Sequence, residues 1–335
     1  MSSKKVYFSK SSKDILDIKK NFIKDDKILT LQAQEWNRYY SRQPRRTKCK
    51  ICEIKLPKKI FRSHFADYTV CKNCGHLNGL NKDTKKFNNY LYKDSKGVKF
   101  SKFYIKNYNE RVKKIYKPKL KFLKQILKKK IEILELGAGA GHFLKACETE
   151  KINGIGYDVN LTMVNLGNKM LRKNKINHFN IDDIYQHILN TDKEIVTILG
   201  VIEHLEHPNL IFENFKKSKA KYLFFSVPTF SLSTILEHAF QNFYPRVLGG
   251  IHNHLYSEKS IKFITKKYKL KIIGEWWFGT DIMDLMRVLK VYSKPHDEKR
   301  YIKYLNKYYI QVMDDLQSVL DKNKICGDVH IVLSK

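Results

Sequence analysis

The chain has 335 residues, of which 42% are hydrophobic and 13% aromatic, a composition that argues against wholesale disorder and predicts roughly two or three domains. Its formal net charge is +32, which suits phosphate-rich partners, although the lysines are spread along the chain as they would be on solvated faces. No apolar run approaches the length of a membrane span and no signal peptide stands at the N-terminus, so we expect a cytoplasmic protein.

Two pairs of cysteines follow a basic N-terminal segment (residues 1–45). Cys49-x-x-Cys52 and Cys71-x-x-Cys74 are separated by eighteen residues, which is the spacing of a zinc ribbon. Four thiolates complete a tetrahedral site, so this spacing predicts a structural zinc ion within a ribbon over residues 46–80. A pair of disulfides is the alternative, and it is disfavoured in a chain that carries no secretion signal.

Residues 81–115 form a linker rich in tyrosine, phenylalanine, asparagine and lysine. Its aromatic side chains could cover a cofactor or stack on a substrate, and ordinary packing is the alternative; they are Tyr90, Tyr92, Phe100, Phe103, Tyr104 and Tyr108. Apolar residues at helical spacing then predict a helix, kinked or restarted at Pro118, that packs on a sheet. We assign residues 116–335 to one catalytic domain, whose part 229–335 lies on the substrate side.

Between Ile131 and Asp158 the chain alternates a short apolar strand, a glycine-rich loop, a helix and a second strand. This is the first half of a nucleotide-binding α/β sheet, in which an acid at the position of Asp158 accepts hydrogen bonds from ribose hydroxyls. A dinucleotide-binding loop would need glycine at position 142, where His142 stands. The sequence therefore favours a different nucleotide cofactor.

The loop reads Glu135-x-Gly137-x-Gly139-x-Gly141, and it resembles the first motif of the class I S-adenosylmethionine (SAM)-dependent methyltransferases. The likeness continues to residue 228. Residues 180–184 look like the end of the third strand, residues 194–208 (EIVTILGVIEHLEHP) like the fourth motif, and residues 222–228 like the fifth strand.

The resemblance implies a Rossmann-like sheet of strand order 3-2-1-4-5-7-6, with residues 271–279 as the sixth strand and residues 329–335 as an antiparallel seventh. It also implies SAM as cofactor. Its contacts would come from Glu135, Gly137, Ala138, Gly139, Gly141, Asp158, Gly200, and Asp182 or Asp183 at the adenine amino group. A helix N-cap is the alternative role for either of the last two acids.

Histidines near the carboxyl ends of the strands are the candidate general bases. His252 and His254 stand in the segment that follows the fifth strand, and His204, beside Glu203, follows the fourth. Methyl transfer depends chiefly on alignment, and a base is needed only when the acceptor atom carries a proton. A hydrogen-bonded loop histidine is the alternative for each position.

A cysteine-rich module, a SAM domain and a late H-x-H segment resemble the zinc-containing methyltransferases of deoxysugar and surface-polysaccharide pathways. The sugar C-methyltransferases carry Tyr-His-Glu-His where this chain has Ile251, His252, Asn253 and His254. We therefore predict O- or C-methylation of a small, anionic, sugar-derived metabolite such as a nucleotide-sugar. The alternatives are an RNA methyltransferase that reads its substrate with the ribbon and the basic surface, and a scaffold with a degenerate methyltransferase fold.

Overall fold

Two sheets organise the chain, a large mainly parallel one and a small antiparallel one. The computed structural model describes residues 4–18, 25–58, 60–91, 107–128, 131–249, 251–293 and 298–335. Four aromatic residues of the predicted linker, Tyr92, Phe100, Phe103 and Tyr104, lie outside these residues. The strands are β1 Lys5–Phe8, β2 Phe61–Ser63, β3 Ala66–Val70, β4 Leu77–Gly79, β5 Glu132–Leu136, β6 Asn153–Asp158, β7 Ile176–His178, β8 Ile195–Leu199, β9 Tyr222–Pro228, β10 His254–Leu255, β11 Lys271–Phe278 and β12 Asp328–Ser334.

Thirteen α-helices accompany the two sheets in the described parts of the chain. They are α1 Ser12–Ile18, α2 Asp26–Ser41, α3 Lys85–Asn89, α4 Tyr108–Arg111, α5 Lys117–Leu127, α6 His142–Thr149, α7 Leu161–Leu171, α8 Ile184–Leu189, α9 Asn209–Lys217, α10 Leu232–Ala239, α11 Glu258–Lys267, α12 Asp281–Tyr292 and α13 Glu298–Lys322. A π-helical turn joins α4 to α5, and Pro118 stands in the first turn of α5. Because proline lacks a backbone N–H, it is tolerated where a helix starts, as the predicted restart requires.

The large sheet has the order β7-β6-β5-β8-β9-β12-β11-β1. Strand β12 runs antiparallel to both of its neighbours, and the other pairs are parallel. Seven of these strands follow the predicted order 3-2-1-4-5-7-6, so the predicted fold class is confirmed. The eighth, β1, extends the edge beyond the sixth strand and was not predicted.

Apolar side chains pack against both faces of the large sheet. Strands β8 and β9 are buried along almost their whole length, as expected of central strands that are covered by helices on each side. One hydrophobic cluster extends from this sheet into the cysteine-rich region, where Cys49 and Ile51 join Ile202 and Leu205. The ribbon therefore shares a core with the catalytic domain.

The small sheet has the order β10-β4-β3-β2. Strands β2, β3 and β4 come from the cysteine-rich region, whereas β10 comes from the segment after the fifth strand of the methyltransferase sheet. His254 pairs with Asn78 and Leu255 with Leu77. The substrate-side segment thus completes the sheet of the ribbon.

The third strand of the methyltransferase sheet ends at His178. The prediction that residues 180–184 form its end was wrong, because the side chains of Asn180 and Asp183 each bond to the backbone of the other in a capping box. That arrangement starts a 3-10 turn, Ile181–Asp183, and then α8, instead of extending the strand. None of the helices in the described parts of the chain is long and apolar enough to span a membrane.

Candidate functional site

The glycine-rich loop leaves β5 in left-handed backbone conformation. Gly137 has φ of +80° and Gly139 has φ of +52°, values that L side chains rarely adopt. A Cβ atom on Gly137 would lie 2.2 Å from Cγ2 of Val201, whereas one on Gly139 would meet no atom within 4 Å. Gly137 is therefore required by packing, and Gly139, followed by Gly141 at the start of α6, borders open space at the carboxyl edge of the sheet.

Asp158 ends β6 beside this loop. Its Oδ2 accepts a hydrogen bond from the backbone N–H of Gly139 at 2.7 Å, and its Oδ1 accepts one from Asn160 at 2.9 Å. Burial raises the pKa of the carboxyl, and these two backbone donors act in the opposite direction. The structure therefore places the carboxylate of Asp158 against the glycine loop.

Glu135 lies on β5, directly before the loop, in which the backbone N–H of Ala138 donates to the carbonyl of Tyr157 at 3.0 Å. Its side chain is 2% exposed, and burial raises its pKa well above the usual range. Its Oε2 is buried and has no hydrogen-bond partner in the described parts of the chain. A buried carboxylate oxygen without a partner is costly, so it favours a cationic or hydrogen-donating ligand at this position.

The other three predicted cofactor contacts lie at the ends of β7 and β8. Asp183 is engaged in the capping box, and Asp182 is 78% exposed with Oδ2 3.8 Å from Nζ of Lys85. Gly200 follows β8 with φ of +71°, and a Cβ atom there would lie 3.6 Å from Oε1 of Glu203.

An aromatic wall that the sequence analysis did not predict stands beside the loop. The ring of His142 stacks against Tyr108 and Tyr116, with centroid distances of 4.4 and 5.1 Å. His142 was read only as a departure from the dinucleotide pattern, and Tyr108 only as one of several linker aromatics. Tyr108 and Tyr116 lie at the two ends of one helical stretch. The helical pattern of this stretch was the signal that could have indicated that both rings pack against α6.

Two of the predicted histidines lie close together at the end of β8. The rings of His204 and His252 have centroids 5.1 Å apart, and the ring nitrogens and the Glu203 carboxylate come within 4.8 Å of one another. Nδ1 of His204 donates to the carbonyl of Ile251 at 3.0 Å. Burial lowers the pKa of His204 to about 4 and raises that of Glu203 to about 8.

The third predicted histidine, His254, lies in β10 and is fully buried. Its Nδ1 is 2.9 Å from Nε2 of His76, and burial holds the pKa of both rings well below the usual range. Next to it, Nδ2 of Asn253 donates to the carboxylate of Asp83 at 2.5 Å. His254 therefore faces the ribbon, behind the pair formed by His204 and His252.

The four predicted metal ligands come together in the ribbon. Cys49 Sγ lies 3.6 Å from Cys74 Sγ, Cys52 Sγ lies 3.4 Å from Cys71 Sγ, and all four sulfur atoms fall within 4.8 Å of one another. A tetrahedral zinc ion with 2.3 Å bonds separates its sulfur ligands by about 3.8 Å. None of these thiols is in a disulfide. The donor set and its spacing therefore fit zinc.

A buried ionic group joins the ribbon to the turn after β8. Nζ of Lys50 contacts the Asp83 carboxylate and donates to the carbonyl of Leu205 at 2.7 Å. Arg46 pairs with Glu206 at 2.5 Å. Since Leu205 and Glu206 directly follow the turn that carries Glu203 and His204, these contacts fix the ribbon against that turn.

Comparison with known proteins agrees with this geometry. A family model described as a methyltransferase domain matches residues 108–275, which is half of the chain, and the chain belongs to this family. It is a SAM-dependent methyltransferase. No curated protein matches the chain by sequence.

Solved structures of similar fold include a SAM-dependent methyltransferase from Archaeoglobus fulgidus, at 23% identity and a TM-score of 0.43, over 69% of this chain and 100% of that one. Another is magnesium protoporphyrin IX methyltransferase from Synechocystis PCC 6803 with bound S-adenosylhomocysteine, at 12% identity and a TM-score of 0.42, over 76% of this chain and 95% of that one.

Proposed function

We propose that this chain transfers the methyl group of SAM to a hydroxyl oxygen of a small, anionic, sugar-derived acceptor. The observation that carries this proposal is the convergence of Glu203, His204 and His252 at the carboxyl end of β8. A cluster of one carboxylate and two imidazoles at the mouth of the cofactor crevice suits an acceptor rich in hydroxyl groups. The positive net charge would draw an anionic acceptor toward the surface.

The cofactor would lie along the glycine loop. Glu135, with its unpartnered Oε2, would accept from the ammonium group of SAM, and Asp158 would accept from the ribose hydroxyls. The open space beside Gly139 gives the backbone close approach to the ligand. Asp182, which the capping box leaves exposed, would accept from the adenine amino group, and Gly200 would border the sulfonium end.

Bound SAM supplies a methyl group on a positively charged sulfur, so the protein must chiefly align the acceptor atom with that methyl. When a hydroxyl is the acceptor, its proton passes to an imidazole as the new O–CH₃ bond forms, the S–CH₃ bond breaks and its electron pair returns to sulfur. His252 and His204 are the better placed of the predicted bases, since both are partly exposed whereas His254 is fully buried. His254, paired with His76, holds in place the acceptor-side segment, by which we mean residues 229–256.

Asn253 supports transfer to oxygen over transfer to carbon. The C-methyltransferases that the chain resembles carry glutamate at this position. Here the amide of Asn253 donates to Asp83, and a glutamate would place a second buried carboxylate against that one. The glutamate of the C-methylation pattern is therefore disfavoured in this chain by its repulsion from the Asp83 carboxylate.

The four cysteines are proposed to hold one structural zinc ion, because four thiolates leave it no open coordination position. The ion would fix β4, on which β10 and the acceptor-side segment are built. Reduced thiols at this site suit a cytoplasmic location.

The test is transfer of label from methyl-labelled SAM into two fractions of a host extract, nucleotide-sugars and total RNA. We expect label in the sugar fraction, and none with the Asp158→Ala variant, which should keep its fold and lose SAM binding. Label in RNA would support the RNA methyltransferase instead. Label in neither fraction, with SAM binding intact, would contradict the sugar acceptor.

A further inference from the structure

We propose that Glu203, His204 and His252 form a second metal site, separate from the four cysteines, that takes one divalent transition-metal cation. One ligand atom from each of the three side chains lies within 4.8 Å of the others. Two imidazoles and one carboxylate are a recurrent donor set for zinc, iron and cobalt ions whose remaining positions stay open to a substrate. The site stands where the fourth-strand turn meets the segment after the fifth strand.

The two rings are oriented as metal ligands commonly are. Nδ1 of His204 donates to the carbonyl of Ile251 at 3.0 Å, and Nδ1 of His252 donates to the carbonyl of Val247 at 2.9 Å. A backbone carbonyl that holds one ring N–H fixes the orientation of an imidazole, as it commonly does for a metal-bound histidine. Both rings receive this support from the same stretch of chain, residues 247–251.

The carboxylate points independently to a cation. Glu203 is 3% exposed, and its Oε2 is buried without a hydrogen-bond partner in the described residues. Leaving a buried carboxylate oxygen unsatisfied costs free energy, and a coordinated cation would offset that cost. His204 and His252 are only half-buried, so the site keeps an open side toward the crevice.

The cation would bind one or two oxygen atoms of the acceptor and orient them toward the methyl group of SAM. Without the cation, the two rings have the base role proposed above; with it bound they act as ligands instead, and the proton that the acceptor hydroxyl loses passes to water. This role rests on the proposed methylation of a hydroxyl-bearing acceptor, whereas binding of the cation does not.

The experiment is titration of Co²⁺ into zinc-loaded protein, without acceptor, followed by calorimetry and by absorption spectroscopy. We expect one further equivalent to bind without a thiolate-to-cobalt absorption band, which shows that the cysteines keep their zinc. Glu203→Gln and His252→Asn should each weaken this binding at least about 10-fold while SAM binding stays within about threefold. His207→Asn removes an exposed histidine of the same turn and should leave it unchanged.

Three results would overturn the site: no cobalt binding beyond the ribbon, a thiolate band that accounts for all the cobalt bound, or equal binding by the native protein and both variants. Because no acceptor is present, failure here would leave the sugar acceptor untouched. That acceptor fails separately, when label from SAM does not enter the nucleotide-sugar fraction.

Discussion

His76 of the ribbon and His254 of the acceptor-side segment face each other across the paired strands β4 and β10, with Nε2 of the first 2.9 Å from Nδ1 of the second. One ring must donate and the other accept, so the two rings share one hydrogen bond, which adds to the pairing of the strands that carry them. Cys71 and Cys74 flank the turn that leads into β4. A metal ion held by them would fix β4, and with it the position of His254 in the paired strand β10.

Loss of zinc should therefore abolish methyl transfer without abolishing cofactor binding. We expect Cys74→Ser to lose its bound zinc and to transfer methyl groups at least about 100-fold more slowly, because β4 no longer supports β10. SAM affinity should change less than about threefold, since the glycine loop belongs to β5 and β6. Zinc content, label transfer and SAM calorimetry measure the three effects.

Cys147→Ser is the matched control. This cysteine is equally buried, but it lies on α6 and is remote from the four metal ligands. It should keep its zinc and its activity. A Cys74→Ser protein that is free of zinc and fully active would contradict the dependence of the acceptor side on the ribbon.

Two glycines of the loop should respond differently to alanine. Gly139→Ala adds a methyl group in open space, so we expect a loss of stability of about 1 kcal/mol from the left-handed backbone alone. SAM affinity should fall at least about 10-fold, because the methyl group would occupy the space of the cofactor. Thermal unfolding without ligand and SAM calorimetry separate the two effects.

Gly137→Ala should instead destabilise the fold. Its Cβ would lie 2.2 Å from Val201, so we expect overpacking to cost about 1–3 kcal/mol in addition to the backbone strain. Gly139→Ala protein that bound SAM as tightly as the native protein would exclude the loop as the cofactor site.

The two acids that follow β7 should have different roles, Asp183 in stability and Asp182 in SAM binding. Asp183 serves the capping box, so Asp183→Ala should lower the stability of the fold by about 0.5–2 kcal/mol and leave SAM affinity nearly unchanged. Asp182 is exposed, so Asp182→Asn should weaken SAM binding about 3- to 10-fold with little change in stability. The opposite pattern would assign the adenine contact to Asp183.

The buried lysine of the ribbon should contribute strongly to stability. Lys50 and Asp83 have side chains that are 1% and 2% exposed, so Lys50→Met would leave a buried carboxylate with less compensation. We expect the free energy of unfolding to fall by about 3–5 kcal/mol. Denaturant titration of the zinc-saturated protein measures it.

Lys193→Met provides the comparison, because Lys193 pairs with Asp192, whose side chain is 81% exposed. Its loss should cost no more than about 1 kcal/mol. Equal effects of the two substitutions would show that the Lys50 ion pair does not hold the ribbon to the turn after β8.

The sequence predicted the central sheet well because its strands carry strong and local signals. The buried strands β5, β8 and β9 are short, mainly apolar segments, and a glycine or proline stands at the end of each. The cofactor loop and the four cysteines are equally local, since their spacing alone limits their geometry. These features needed no knowledge of the surrounding fold.

Short strands at the edges were not predictable in the same way. β1 has four residues in a lysine-rich segment, and β10 has only two, so neither gives a period of its own. Each forms because a distant partner offers unpaired backbone groups. For the same reason the sequence could propose His254 as a base, but could not show that its ring lies buried against His76.

The pairing of β10 with β4 also limits how the ribbon can be exchanged between related methyltransferases. A ribbon transferred alone into a related methyltransferase would present β4 as an unpaired edge strand. The recipient would keep its own acceptor-side segment, whose strand is fitted to a different ribbon. Residues 46–91 and 229–256 are separated by the whole cofactor half of the chain, yet they form one sheet. A functional chimera must therefore inherit both stretches from the same parent.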